Sequence, residues 1–508
     1  MSLVLSDTTV PVSLRRLFAA ASFVGCGDIA VTDVTEDSRS CRAGCLFAAL
    51  PGTRTQGLSF VNEAIERGAS SLLVDRPLPD CPVPQCIVPN SRVAFAQLCE
   101  ALYGYPSRRL ATVGVTGTNG KTTVTWLVRS ILEASARPTA LLGTIEYSDG
   151  MVSQPASLTT PSTRETSRWL ASAVARASQC ATLEISSHAL DQARVAGLML
   201  DVAIVTNITQ DHFDYHLNFE AYRRSKARIL RQLKRRGLVV LNADDPGSMS
   251  LLGQTTAAAQ VVTYGIDHPA DVMAESVELG AGGSSFVLRT GVETVRMQTP
   301  LVGRHNVSNC LAASAAARHL GVPLSEIAEG CEALESVPGR LERIRGSHPF
   351  EVYVDYAHTD DALRRALSAV QEVTRGRVFC VFGAGGDRDR SKRPLMGRAA
   401  GSADVVVVTS DNPRSEDPSR IIDDILAGCR ASGAELHVDP DRAEAIRWAI
   451  EQAEPEDAVL VAGKGHETVQ IIGNERRPFD DRAVCRDVLR ELCPTTALRF
   501  PSSIRRAI

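Results

Sequence analysis

The segment Thr116-Gly117-Thr118-Asn119-Gly120-Lys121-Thr122-Thr123 lies between an apolar run, Leu110 to Val115, and a helix-like stretch that begins Val124-Thr125-Trp126-Leu127. A glycine-rich turn joining a buried strand to a helix N-terminus is where a nucleotide phosphate binds. Gly117 and Gly120 let the backbone bend so that several N–H groups face phosphate oxygens. Lys121 supplies a mobile cation, and the Thr122 hydroxyl can ligate Mg2+. Val115 stands where the first glycine of the strict G-x-x-x-x-G-K-[ST] pattern belongs, so the loop is a variant of it. Strand, loop, Gly-Lys-Thr and helix in this order argue against a chance glycine turn.

A chain of 508 residues exceeds one ordinary core and is expected to divide into about three domains of ~150 residues. With 44% hydrophobic residues, 22% charged residues and a formal net charge of -4, it reads as a soluble globular protein without a bias toward polyanions, so nucleic acid is not an expected partner. Its 13 cysteines are scattered singly, with no paired C-x-x-C spacing, as in a reduced cytoplasmic protein. Arg15-Arg16 followed by Leu17 to Gly25 and Cys26 superficially resembles a lipidated signal peptide. That apolar stretch is short, Asp7 precedes it, and Leu14, Leu17, Phe18 and Ala21 recur at the spacing of a surface helix. No run reaches the ~18 apolar residues that span a bilayer, so no membrane insertion is expected.

Strand-like apolar runs alternate with longer helical stretches, the signature of parallel α/β sheets. The runs are Ser71 to Val74, Leu110 to Val115, Ala181 to Ile185, Val202 to Thr206, Leu238 to Leu241, Phe379 to Phe382, Val405 to Thr409 and Ala458 to Val461. Tyr103-Gly104-Tyr105-Pro106-Ser107 and Ser336-Val337-Pro338-Gly339-Arg340 interrupt the alternation and mark hinges. The expected architecture is therefore α/β in three domains, 1–105, 106–337 and 338–508. The central one carries the parallel mononucleotide-binding sheet, and the last is Rossmann-like.

Several residues have two readings at this level. Glu184, at the end of its strand, would sit at the carboxyl edge of a doubly wound sheet beside the phosphate loop, although a lone Glu there is as readily an exposed loop carboxylate. Lys226 belongs to a basic helix with Arg223, Arg224 and Arg228, and a solvated face is its ordinary role. Asn306 and Asn309 could cap or bond the helix backbone, and Thr159-Thr160 could be a simple strand pair. His212, Asp214 and His216 suggest zinc only weakly, because no cysteine spacing accompanies them.

Taken in order, the loop Thr116 to Thr123, Glu184-Ile185-Ser186-Ser187-His188, Thr206-Asn207-Ile208-Thr209-Gln210-Asp211-His212, Asp355-Tyr356-Ala357-His358 and Gly463-Lys464-Gly465-His466-Glu467 resemble the successive motifs of the Mur ligase family. The resemblance runs nearly the whole chain. Asp411-Asn412-Pro413-Arg414 directs it to the members that add the third residue of the peptidoglycan stem peptide. It implies ATP-dependent amide-bond formation. A carboxylate is inert to an amine until ATP phosphorylates it, and holding a carboxylate against a triphosphate requires cations between them.

The resemblance also implies roles for individual residues. Gly117, Thr118, Asn119, Gly120, Lys121, Thr122 and Thr123 would hold the ATP phosphates, Asn306 and Asn309 the adenine, and Arg340 and Asp355 the phosphate and ribose. Lys121, Glu184, His212 and Lys226 would be catalytic. Thr122 and Glu184 would ligate Mg2+, with His212 and Lys226 at a second ion, the lysine carbamoylated by CO2 to an anion. Asp37-Ser38-Arg39, with Gly44, Phe47 and Gly52, resembles the uridine-binding turn, with Ser38 at its centre, and Thr53, Arg54 and Thr55 follow where the diphosphate is contacted. Thr159, Thr160, Ser186, Gln192 and Arg194 would meet the sugar-peptide carboxylates.

Arg388, Asp411, Asn412, Pro413, Arg414, Gly463 and Glu467 match a pocket for meso-diaminopimelate. A guanidinium clamps the distal carboxylate of that amino acid but would repel the terminal ammonium of lysine. The expected reaction is therefore the joining of meso-diaminopimelate to UDP-N-acetylmuramoyl-L-alanyl-D-glutamate through an acyl phosphate, by a monomer. L-lysine as acceptor, another amide ligase of the superfamily, and an inactive nucleotide-binding regulator remain as alternatives.

Overall fold

The computed structural model describes residues 11–52, 56–209, 213–216, 218–255, 258–430 and 433–492. His212 of the expected metal site, Gln210 and Asp211 beside it, Thr53 to Thr55 of the diphosphate stretch, and Asp7 lie outside the described residues. The chain forms two compact units. One runs through Val277 and includes Ser285–Thr299 and His305–Leu334, and the other comprises Glu278–Ser284, Pro300–Arg304 and the chain from Glu335 onward. Among the described residues no helix is long and apolar enough to cross a membrane.

The first unit opens with a five-stranded sheet in the order Ser22–Val24, Gln85–Ile87, Ser71–Val74, Leu46–Ala48, Val34–Thr35. Only the first pairing is antiparallel. Alternation along the strands serves two apolar faces, with Leu46, Ala48 and Leu73 packed on one side and Phe47, Leu72 and Val74 on the other. The helix expected from Leu14 to Ala21 is shorter than its apolar spacing suggests. It covers only Leu14–Leu17, capped by the Ser13 side chain, because the chain turns after Phe18 to reach the sheet edge at Ser22. Leu17, Phe18 and Ala21 still pack on the core, which is why their spacing looked helical.

This sheet joins its neighbour through a buried junction. Glu100, only 2% exposed, accepts hydrogen bonds from the Ser107 hydroxyl at 2.7 Å and the Ser167 hydroxyl at 3.3 Å. Burial raises its pKa, against the downward pull of the serines.

The larger sheet has eleven strands, and its parallel middle places Thr139–Leu142, Cys180–Glu184, Ala111–Thr116, Leu200–Val205, Leu233–Asn242 and Gln260–Gly265 side by side. Helix Lys121–Ala134 packs through Val124, Leu127, Val128, Ile131 and Leu132, an i, i+3, i+4, i+7 stripe. Helix Thr163–Ala175 starts at a capping box in which Ser162 and Glu165 satisfy each other's backbone N–H groups.

The second unit is doubly wound. The six strands of its main sheet run in the order Glu342–Arg343, Glu351–Asp355, Ala458–Ala462, Val378–Phe382, Val405–Val408, Glu435–Val438, all parallel except the first, and Val469–Ile472 pairs with Glu475–Pro478 in a separate hairpin. Leu363, Leu367, Met396 and Ile425 cover one face, and Ile446, Ile450, Cys485 and Val488 the other. Twelve described cysteines are all free. Nine are buried, and Cys26, Cys41 and Cys81 are partly open.

Candidate active site

Three adjacent parallel strands of the large sheet end at Thr116, Glu184 and Val205, and the phosphate loop leaves the first of them. This carboxyl edge is where ligands bind in open parallel sheets. Gly117 (φ +152°) and Gly120 (φ +84°) adopt backbone conformations that favour glycine, and neither has room for a Cβ. A methyl at Gly117 would collide with Thr206 Oγ1, and one at Gly120 would lie 2.6 Å from Asn309 Oδ1.

The loop is pinned from outside. Thr118 N–H donates to the Asn207 carbonyl at 2.8 Å, Asn119 N–H to Asn207 Oδ1 at 2.9 Å, and Thr206 Oγ1 to the Asn119 carbonyl at 2.6 Å. The Asn309 amide donates to Asn306 Oδ1 at 2.9 Å, so the two expected adenine residues form one buried pair against the loop. The Lys121 ammonium folds over the turn and donates to the carbonyls of Gly117 and Thr118 at 3.1 and 2.9 Å. Thr123 is buried in the first helical turn.

Glu184 is fully buried, and its carboxylate faces the loop. Oε2 accepts from Thr122 Oγ1 at 3.0 Å and Thr144 Oγ1 at 2.9 Å, while Oε1 accepts from Thr144 N–H at 2.8 Å. Gly143 keeps the approach open, since a Cβ there would collide with Oε1. A hydroxyl and a carboxylate oxygen side by side are the hard donors that suit Mg2+ completed by phosphate oxygens. Thr122 and Glu184 thus fit the group expected there.

Lys226 departs from the solvated-face reading of its helix. It is 1% exposed, donates to the Gly117 carbonyl at 2.7 Å and lies 4.5 Å from the Tyr222 ring centroid. His216 is buried among the rings of His188, Tyr215 and Tyr222 and bonds Ser187 Oγ at 3.0 Å. Burial, then the neighbouring His188, depresses its pKa.

The expected sugar-peptide residues gather behind Glu184. Thr160 Oγ1 donates to the Glu184 carbonyl at 2.8 Å and accepts from Ser186 N–H at 3.0 Å. Arg194 donates to the Thr160 carbonyl at 2.9 Å, and the hydroxyl oxygens of Thr144 and Thr159 lie 3.2 Å apart. Gln192 is engaged separately, through the Tyr215 hydroxyl at 3.3 Å. Ser38 lies in the five-stranded-sheet region, nearly buried, donating to Glu63 Oε2 at 2.7 Å.

In the second unit the expected acceptor residues meet beyond the strands that end at Phe382, Val408 and Ala462. Arg414 has φ +52° and donates to the Gly386 carbonyl at 2.6 Å. A Cβ at Gly385 would lie 2.9 Å from Arg414 Nη1 and 3.6 Å from Arg388 Cγ, so the Arg414 guanidinium and the aliphatic stem of Arg388 both lie against that glycine, while the Arg388 guanidinium donates to the Asp387 carbonyl at 3.3 Å. Pro413 packs so tightly on Gly386 that a Cβ there would strike its carbonyl. Gly463 (φ +116°) lies against Asp411, where a Cβ would be 2.7 Å from Oδ2. Glu467 accepts from the Asn412 amide at 2.9 Å.

Asp355 and Arg340 flank another strand end of this unit. Asp355 accepts the N–H groups of Leu341 and Ala357 at 2.7 and 2.8 Å, and burial raises its pKa despite Arg340. The Arg340 guanidinium stacks 4.7 Å from the Tyr356 ring centroid.

Sequence reasoning missed three residues. Asn207 lay unassigned inside a quoted motif, Lys464 inside another, and Thr144 in no motif at all.

The chain resembles known proteins over most of its length. The chain matches the family models "Mur ligase family, catalytic domain" over residues 30–103, "Mur ligase middle domain" over 115–317 and "Mur ligase, glutamate ligase domain" over 339–465. It is 45% identical to the UDP-N-acetylmuramoyl-L-alanyl-D-glutamate--2,6-diaminopimelate ligase of Geobacillus thermodenitrificans (strain NG80-2), over 90% of this chain and 94% of that protein. It is 44% identical to the protein of the same name from Gloeobacter violaceus (strain ATCC 29082 / PCC 7421), over 91% and 94% of the two chains. A solved structure of a ligase with that name superimposes with a TM-score of 0.68 at 31% identity, covering 95% of this chain and 99% of its own. With matched segments in both units and 45% identity over 90% of its length, the chain belongs to the Mur ligase family.

Proposed function

We propose that this chain is an ATP-dependent ligase that joins meso-diaminopimelate to the glutamate side-chain carboxylate of UDP-N-acetylmuramoyl-L-alanyl-D-glutamate. The observation that carries the acceptor assignment is the Arg414 guanidinium against Gly385, with Glu467 held through Asn412 of the same loop. A guanidinium and a carboxylate complement an amino acid with a distal carboxylate and an ammonium group. The relatives that carry this activity in their names support the same reading.

In this reading the protein works as a monomer in the cytoplasm and is built as three domains, 1–105, 106–337 and 338–508. Ser38 holds the uridine, and Thr159, Thr160, Ser186, Gln192 and Arg194 hold the sugar-peptide. Asn306 and Asn309 receive the adenine, and Arg340 and Asp355 the phosphate and ribose. The glutamate carboxylate attacks the γ-phosphorus of ATP and ADP leaves. The acceptor amine then attacks the acyl phosphate, inorganic phosphate departs and the ammonium proton is lost to solvent. Backbone N–H groups of the loop and the Lys121 ammonium stabilise charge on the transferred phosphoryl group. Mg2+ at Thr122 and Glu184, with a second ion at His212 and Lys226, would screen the carboxylate from the triphosphate. Lys226 takes its part as a carbamate, formed when its neutral amine adds to CO2 with loss of a proton.

The decisive experiment offers the purified protein ATP, Mg2+, the UDP-sugar dipeptide and a panel of amino acids, with mass spectrometry of the product. A diaminopimelate adduct formed together with ADP is expected. Preferential incorporation of lysine, or nucleotide hydrolysis independent of any acceptor, would overturn the proposal.

A further inference from the structure

Lys464 has no exposed side-chain surface, yet no part of the reaction described above uses it. A buried ammonium is tolerated only when all of its donors are matched. Here three acceptors surround it: Asn412 Oδ1 at 3.2 Å, Glu467 Oε2 at 3.2 Å and the Val469 carbonyl at 2.7 Å. These come from three segments, the Asp411–Arg414 loop, the Gly463–Glu467 loop and the strand Val469–Ile472.

The consequences reach the groups that would read the acceptor. Asn412 Oδ1 accepts from Lys464 and from Ile471 N–H at 2.9 Å, so its amide nitrogen must point to Glu467 Oε2, 2.9 Å away. Oε2 therefore takes two donors, Lys464 and Asn412, which fixes the carboxylate plane. Oε1 accepts no hydrogen bond among the described residues, and the Glu467 side chain keeps 31% of its surface exposed. The strand that Lys464 grips also bonds the loop bearing the arginine, with Arg414 N–H donating to the Ile471 carbonyl at 3.0 Å and Gln470 Nε2 to the Asp411 carbonyl at 2.8 Å.

We propose that Lys464 is a positioning residue for the amino-acid acceptor: its buried ammonium locks one oxygen of Glu467 and the Asn412 amide so that the other oxygen is presented to the acceptor's ammonium. This rests on the acceptor reading of the second unit and deepens it. A flexible Glu467 would have to be ordered each time an acceptor bound, and the lysine removes that ordering from the binding step.

The test is steady-state kinetics on the full chain, with each substrate varied in turn. Lys464→Met should raise the KM for diaminopimelate about 30-fold, the size expected for disturbing a charge-assisted contact, while the KM values for ATP and UDP-sugar dipeptide move less than about threefold. Placed on a Glu467→Gln background, Lys464→Met should add less than about twofold, because a residue acting through Glu467 has nothing further to lose. Asn412→Ala removes the other donor to Oε2 without deleting the buried cation. It should reproduce the acceptor-selective change, and it decides the question if the Lys464 variant does not fold.

Equal losses for all three substrates, or full additivity with Glu467→Gln, would overturn the proposal. Hydroxylamine in place of the amino acid traps an acyl phosphate as a hydroxamate in the unmodified protein. No hydroxamate there, or no diaminopimelate product, means that the functional reading itself has failed, whereas product formation with an unselective Lys464 variant means that only the positioning role has.

Discussion

The phosphate loop and the acceptor loops both leave the carboxyl ends of parallel strands, but they are shaped by opposite means. The first is made by missing side chains: Gly117 and Gly120 lie where any Cβ meets Thr206 or Asn309, and the surrounding bonds fall mostly on backbone groups. The second is made by side chains, with Lys464, Asn412 and Glu467 bonded to one another and Arg414 and Asp387 held at φ +52° and +53°. A phosphate presents the same oxygens in every case, so backbone donors suffice. An amino acid is distinguished by its far end, which only side chains can read. The first region should fail outright when altered, and the second should fail selectively.

The largest effect should come from Lys121→Ala, which removes the cation nearest the transferring phosphoryl group. Amide formation should fall by about 10³-fold or more, with the melting temperature within about 2 °C of the parent. Near-normal turnover would mean that the nucleotide binds elsewhere. Lys226→Ala should lose about 10²-fold and recover partly with added short carboxylates that replace the proposed carbamate, whereas Lys226→Arg should not recover. Rescue of the arginine variant to the same degree would refute the carbamate.

Arg414→Ala should lower kcat/KM for diaminopimelate by about 30-fold and leave the slow reaction with lysine nearly untouched. Because the residue sits in the left-handed region, Arg414→Gly should be more stable than Arg414→Ala by roughly 0.5 to 1 kcal/mol while sharing its kinetic defect. Equal losses for both amino acids would move Arg414 from reading the substrate to shaping the loop.

The smallest effect concerns His466, whose pKa is pushed down to about 4 by burial and then by Arg340, Arg482 and His358. The ordinary value is near 6.5, so the unfolded chain takes up the proton first as pH falls. The stability contribution is present above that value and lost on descending toward the folded pKa, at up to about 1.4 kcal/mol per pH unit for one proton. Denaturant titrations of the parent and His466→Asn between these pH values should show the steeper slope only in the parent.

Much of this organisation was legible in the sequence because it is local. Ser71–Val74 is a strand with the bounds its apolar run gave, and Glu184 ends its strand beside the loop as the order of elements implied. Other parts depend on contacts with no local pattern. Thr144 and Glu184 lie 40 residues apart, Asn119 and Asn207 88 apart, and Lys464 and Asn412 52 apart. Lys226 shows the limit most clearly: a basic helix normally turns its lysines to water, and only the tertiary structure reveals one pointed inward at Gly117.

The distribution of thiols supplies a built-in record of local opening. Cys380, Cys429 and Cys485 are buried in the second unit and Cys99 and Cys180 in the first, and burial raises the pKa of each thiol. A thiolate-seeking reagent at neutral pH therefore passes these sites by until the surrounding structure opens, when each regains the reactivity of an ordinary cysteine. Pulsed alkylation followed by peptide mapping would time the opening of each unit separately, and adding nucleotide or amino acid would show which clock each one slows.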